Sequence, residues 1–308
     1  MMSKSNFPSV DLSKLLTTDH LPAMPQSALR LLEVSRDPSA GPTEFAIPIE
    51  SDPGLTVQVL TFVNSSYFGF PNEISNIKQA ITLVGVRSVK NFALYNAVFG
   101  LIPDPKCGPF DLKRLWQDSL RRALFARTMG KVLGMTEAEE PFAAALLQDM
   151  AVPLLAKEVP DAYERLFGAR SNTDRRIRLS DLENHVFGWT HAEAAGIMAR
   201  KWSLPENFAV LIEDHLDIDQ LSTQAASEPG KLAVAMSALL PTTSDPVWTE
   251  YDQFEEHYSK VCPIGGPSVE ELLGRIDAEF TEFAPVLRIR EPGNTLVDCY
   301  NEVAVAAE

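Results

Sequence analysis

Residues 52–66 read DPGLTVQVLTFVNSS. Each part of this stretch reads as part of one helix, and that decides the fold class. Asp52 can cap the start by accepting a hydrogen bond from a first-turn amide. Pro53 suits the first helical position, where its missing N–H would be unpaired anyway. Leu55, Val59, Phe62 and Val63 then recur at helical spacing as an apolar stripe. Asn64 suits the end, because Asn tolerates the left-handed conformation that closes many helices.

The same period extends outward. SALRLLEVS (27–35) places Leu29 and Leu32 on one face, and Pro48 just upstream of Asp52 predicts a kink or early break. SYFGFPNEIS (66–75) reads as a loop, followed by two short packed helices in IKQAITLVG (77–85) and RSVKNFALYNAVFG (87–100). IPDPKCGP (102–109) breaks the chain between two layers. DLKRLWQDSLRRALFARTMGKVL (111–133) is a long amphipathic helix, and PFAAALLQDM (141–150) is apolar nearly all round, as a central buried helix would be. Pro153 should break that helix or start the next. THAE (190–193) is a capping-box pattern, Thr190 with Glu193, opening a helix through Trp202. Beyond residue 217 the chain is acidic and more broken, with VEELLGRIDAEF (269–280) its clearest helix. Strict two-residue alternation is scarce, so the fold class is all-α.

The 308 residues are 45% hydrophobic, enough for a large core. The first residues lack the apolar run of a secretory signal, and no run approaches membrane-spanning length. Three scattered cysteines fit a reducing compartment and no cysteine-rich zinc site. These features predict a cytoplasmic chain. Residues 1–205 hold 22 basic and 22 acidic residues, so the net charge of −15 lies in the last third. Such an acidic surface argues against nucleic-acid binding, which needs Lys and Arg to displace counterions.

Taken together, Leu21–Pro22, Pro25, Asp52–Pro53–Gly54–Leu55, Asn64–Ser65, Ala80–Ile81 and Gly85 resemble the signature of HDOD domains, the bacterial HD-related output domains. LWQDSL (115–120), AALLQDMA (144–151), Val186 to His191 and Trp202–Pro205 continue the resemblance over residues 15–220. It implies a first helical layer (15–103), a degenerate HD-like bundle (108–240) and an acidic helical extension (241–308). It also implies a role in bacterial signal transduction, usually through a protein partner and without catalysis.

Catalytic HD relatives hold divalent ions with several His and Asp ligands, which polarise a phosphoryl oxygen and activate water. Carried onto this chain, the first ligand position is Asp118, the dyad is Gln148–Asp149, an additional His is His191, and a later His is His215. The final Asp should fall in LAVAMSALL (232–240), which has no carboxylate. Asp118, Asp149, His191 and His215 are the weak ligand candidates. The incomplete set implies a pseudoenzyme with no metal and no other cofactor. Gln148 is expected to bond Asp118 or the surroundings of Asp149. His191 is expected to reach solvent or a backbone carbonyl, and His215 to be a half-buried helical residue. Two alternatives stay open: a metal-dependent phosphohydrolase acting on a nucleotide phosphoester, and a nucleotide or cyclic-dinucleotide sensor using Arg121, Arg122, Arg175 and Arg176 as phosphate contacts. The bland reading of these arginines is a solvated helix face paired with the acidic tail.

Overall fold

The computed structural model describes residues 7, 10–17, 21–171, 177–245 and 247–306. Among these residues there are helices and turns and no strands. After the single turn α1 (Leu12–Leu15), helices α2 (Gln26–Val34), α3 (Pro42–Glu50), α4 (Pro53–Val63), α5 (Ile77–Val84) and α6 (Val86–Phe99) pack against one another. Asp52 caps α4 by accepting the Leu55 amide at 3.0 Å, and its other oxygen accepts the Ser27 hydroxyl at 2.9 Å, joining α4 to α2.

Two local expectations need correction. Asn64 ends α4 with φ −89°, outside the left-handed region. Its side chain instead pins the following loop, accepting the Ile74 amide and donating to the Ile74 carbonyl, both at 2.7 Å. Pro48 does not break α3, which continues to Glu50. Pro48 lies in the last turn, where its missing N–H removes one helical hydrogen bond, and the Ser51 hydroxyl donates to its carbonyl at 2.8 Å.

The long helix α7 (Leu112–Val132) packs on α8 (Glu139–Leu147), whose residues 141–147 are all buried. A three-residue turn leads to α9 (Ala151–Glu158), with Pro153 in its first turn. Helices α10 (Pro160–Ser171), α11 (Leu179–Phe187), α12 (His191–Lys201) and α13 (Glu206–Glu213) follow. The capping box at α12 forms as the sequence predicts, with the Thr190 amide donating to Glu193 at 2.7 Å. A 3₁₀ turn, Asp214–Leu216, leads through α14 (Ile218–Ser222) to α15 (Pro229–Ser237), which packs on α7 and α8.

The acidic third contains α16 (Tyr251–Val261), α17 (Val269–Phe283) and α18 (Leu296–Ala306). Helix α17 lies on α7 and α18 on α17. One continuous apolar core runs from Leu16 to Leu296.

Candidate functional site

Helix α8 ends after Leu147, and the next three residues turn the chain so that Asp149 projects into a cavity of about 180 Å³. Asp118 from α7, His191 from the start of α12 and His215 from the 3₁₀ turn line the same cavity. The structure therefore brings together all five degenerate positions of the resemblance, Gln148 included.

Their bonding separates them into two groups. Asp149, His191 and His215 each offer one atom within 4.8 Å of the others. Asp118 is not in that cluster; its carboxylate accepts the Thr243 amide at 2.7 Å. Burial pushes the Asp118 carboxyl up to about 6, with the nearby Arg122 opposing that rise.

Asp149 is buried, and Arg122 of α7 donates to its Oδ2 from a side chain only 11% exposed. Its Oδ1 lies 3.3 Å from His191 Nε2 and 3.9 Å from His215 Nε2. Burial alone would raise this carboxyl. Arg122 and the protonated His191 hold it well below the usual carboxylate range.

His191 does not reach solvent. Its ring is buried between two carboxylates, with Nδ1 2.6 Å from Glu183 Oε2. Glu183 also accepts the His191 amide at 2.8 Å and the Tyr163 hydroxyl at 2.7 Å. Burial opposes protonation, but Glu183 and Asp149 prevail and push His191 up to about 9. His215 is fully buried rather than half-buried. Its Nδ1 lies 2.6 Å from the Ile212 carbonyl, an acceptor only, so Nδ1 carries a proton. Burial pulls its pKa down to about 3, so His215 is neutral and Nε2 keeps its lone pair.

Gln148 bonds neither Asp118 nor Asp149. Its Oε1 lies 3.2 Å from Ser237 Oγ, whose hydroxyl also reaches the Val234 carbonyl at 2.6 Å, and Nε2 is buried without a partner. Ser237 belongs to the stretch where a final Asp is missing. A neutral amide, at the first position of the expected dyad, thus faces a neutral hydroxyl.

Three arginines of α7 do not form a solvated face, although Arg114 is exposed and the expected pairing with the acidic third holds for Arg127. Arg121, Arg122 and Arg127 point inward: Arg122 serves Asp149, Arg121 donates to the Asn294 carbonyl, and Arg127 pairs with Glu279 at 2.8 Å. Arg175 and Arg176 lie outside the described residues. Sequence reasoning missed Glu183, Tyr163 and Ser237. For Glu183 a signal existed: it stands three residues before buried Val186, so a charge lies on an apolar helix face.

One oxygen of Asp149 and the imidazoles of His191 and His215 converge, so these three residues could hold a divalent ion once it displaced the His191 proton, while the Arg122 guanidinium already bonds the other oxygen of Asp149.

Comparisons with known proteins agree with the helical layout. A structure of an HDOD domain protein of unknown function from Geobacter sulfurreducens superposes with TM-score 0.60 at 21% identity, covering 93% of this chain and 89% of that one. A Shewanella amazonensis SB2B structure, provisionally assigned as a phosphohydrolase, gives TM-score 0.66 at 21% identity, covering 90% and 96%. A Marinobacter aquaeolei VT8 structure, provisionally assigned to signal transduction, gives 0.62 at 19% identity, covering 87% and 60%. An uncharacterised protein of Treponema pallidum (strain Nichols) is 24% identical over 198 residues, which are 64% of this chain and only 38% of that relative's length. The family model of the HDOD domain matches residues 21–218, the span that carries α2 to α13 and every residue of the degenerate site. The chain therefore belongs to the HDOD domain family.

Proposed function

We propose that the chain is a non-catalytic regulatory module of bacterial signal transduction, cytoplasmic, acting through a protein partner. The carrying observation is the buried Arg122–Asp149 ion pair. A guanidinium supplies, from within the chain, the positive charge that a hydrolytic site would take from a metal ion. Gln148 supports the same reading, because the first position of the dyad carries a neutral amide. The signal-transduction assignment of the Marinobacter neighbour is in keeping with it. No helix among the described residues is long and apolar enough to cross a membrane. The division into a first layer (15–103), a bundle (108–240) and an extension (241–308) belongs to this proposal.

A phosphohydrolase is the rival reading, favoured by the convergence of Asp149, His191 and His215. Metal analysis of protein purified without chelator, paired with a bis(p-nitrophenyl) phosphate assay, separates the two. The expected result is substoichiometric transition metal and no hydrolysis above the protein-free rate. Stoichiometric metal that is lost in Asp149→Ala, together with hydrolysis, would overturn the proposal.

A further inference from the structure

Arg121 stands one helical turn after Asp118 on α7 but faces a different cavity. That cavity holds about 370 Å³ between α7, the 242–245 turn and the 290–294 segment. Arg121 is 2% exposed and donates through Nη2 to the Asn294 carbonyl. Its Nε is buried and has no hydrogen-bond partner. The carboxylates that its charge feels are engaged elsewhere. Asp118 accepts the Thr243 amide, and Asp277 accepts the amides of Leu296 and Val297 at 2.9 and 3.0 Å. Among the described residues Arg121 forms no ion pair with a carboxylate. A buried guanidinium N–H without an acceptor is costly, so the Arg121 guanidinium favours an anion beside it.

The cavity's charge says what kind of acceptor. Four of its seven charged lining residues are basic: Lys113, Arg114, Arg121 and Arg290. Of the three acidic ones, Asp245 is bound by Arg170 at 3.0 Å, Asp111 lies 3.8 Å from Arg114, and Glu291 is exposed, which leaves Lys113, Arg121 and Arg290 against Glu291. This local excess occurs in a chain of net charge −15. Arg290 is also one of only five basic residues after residue 205.

We propose that this cavity is an oxyanion site, taking the phosphate group of a small molecule beside the Arg121 guanidinium, with the exposed Lys113 and Arg290 also lining it. The site is built across the limit of the HDOD match: Arg121 lies within residues 21–218, and Arg290 and Asn294 lie beyond them. Arg114 and Thr242 line both this cavity and the degenerate HD pocket, and the neighbouring Thr243 amide holds Asp118. A bound phosphate would therefore sit one backbone layer from the HD pocket. The proposal does not depend on whether that pocket is catalytic.

The test titrates full-length protein with inorganic phosphate and, separately, with glycerol 1-phosphate at constant ionic strength. Arginine Nε–H resonances are followed by NMR, with the Arg121 signal assigned from its loss in Arg121→Lys. The expected result is a saturable shift of the Arg121 signal with one or both ligands, the tighter one naming the source. Exposed Lys113→Ala and Arg290→Ala, combined, should weaken that affinity about tenfold or more without affecting folding. An Arg121 signal unmoved by millimolar levels of both ligands overturns the proposal. So does binding of unchanged affinity in the double variant.

Discussion

Two imidazoles, His191 and His215, lie 5.3 Å apart between ring centres beside Asp149, and their surroundings drive them in opposite directions. His191 sits between Glu183 and Asp149 and keeps its second proton up to about pH 9. His215 gives one N–H to a carbonyl and stays neutral down to about pH 3, because burial outweighs the Asp149 carboxylate 3.9 Å away. In the unfolded chain both would titrate near the ordinary value of about 6.5. For His191 the folded value is raised, so its stabilisation is complete below pH 6.5 and is lost as pH rises towards 9. For His215 the folded value is lowered, so its contribution is complete above 6.5 and is lost as pH falls towards 3. Asp118, raised to about 6, works against His215: its share declines as pH rises from 3.8 to 6. His191 dominates the alkaline limb, to which the raised thiols Cys107 and Cys299 add only above about pH 8. Urea unfolding should show stability falling by roughly 3 kcal/mol between pH 6.5 and 9. In His191→Gln that limb should flatten; an unchanged slope would mean that His191 is not held protonated. The positions of these residues were legible in the sequence, but their roles were not. Motif spacing located Asp149, His191 and His215. The partners that set their protonation, Glu183 and Arg122, come from α11 and α7, and only packing brings those helices together.

At the scale of elements, helix boundaries were readable because they are chemically marked. Asp52 before Pro53, Thr190 before Glu193 and Gly85 between α5 and α6 all act as their residue types suggest; Gly85 has φ 98°, which only glycine adopts without strain. Side-chain direction was less readable. The basic run on α7 looked like a solvated face, yet Arg121, Arg122 and Arg127 lie inward because α8, α15 and α17 cover that helix from several sides. Close approach between helices was invisible in one dimension. Gly196 in α12 shows it: an added Cβ would come within 2.9 Å of Glu213 Cβ on α13. Gly→Ala in a free helix stabilises by about 0.5–1 kcal/mol. Here the overlap is with an atom fixed to the backbone, and overpacking costs about 1–3 kcal/mol. The clash should win, so Gly196→Ala is expected to be destabilising by about 1–2 kcal/mol in denaturant unfolding. A more stable variant would show that α12 and α13 separate easily.

The acidic third carries the net charge of the chain and also closes its core. Phe283, at the end of α17, is 1% exposed. Its ring lies 5.5 Å from Phe62 of α4, 5.1 Å from Tyr67 and 5.5 Å from Phe142 of α8, with the Arg127 guanidinium 5.6 Å from its centre. One side chain from beyond the HDOD match thus touches the first layer and the bundle together. Arg127 in turn stacks on Tyr67 and Phe142 at 4.7 and 4.8 Å and pairs with Glu279 of α17, so its buried charge depends on the same helix. If α17 were a loosely attached tail, truncating Phe283 would have little effect. If it seals the junction, Phe283→Ala opens a cavity between three regions and loses the aromatic contacts, at about 3–5 kcal/mol. Urea unfolding of the full chain decides between these. The expected outcome is a loss in that range with an unchanged urea dependence, so that the layer, bundle and extension still unfold as one unit. A loss under about 1 kcal/mol, or a separate early transition, would instead make the acidic third an independent appendage.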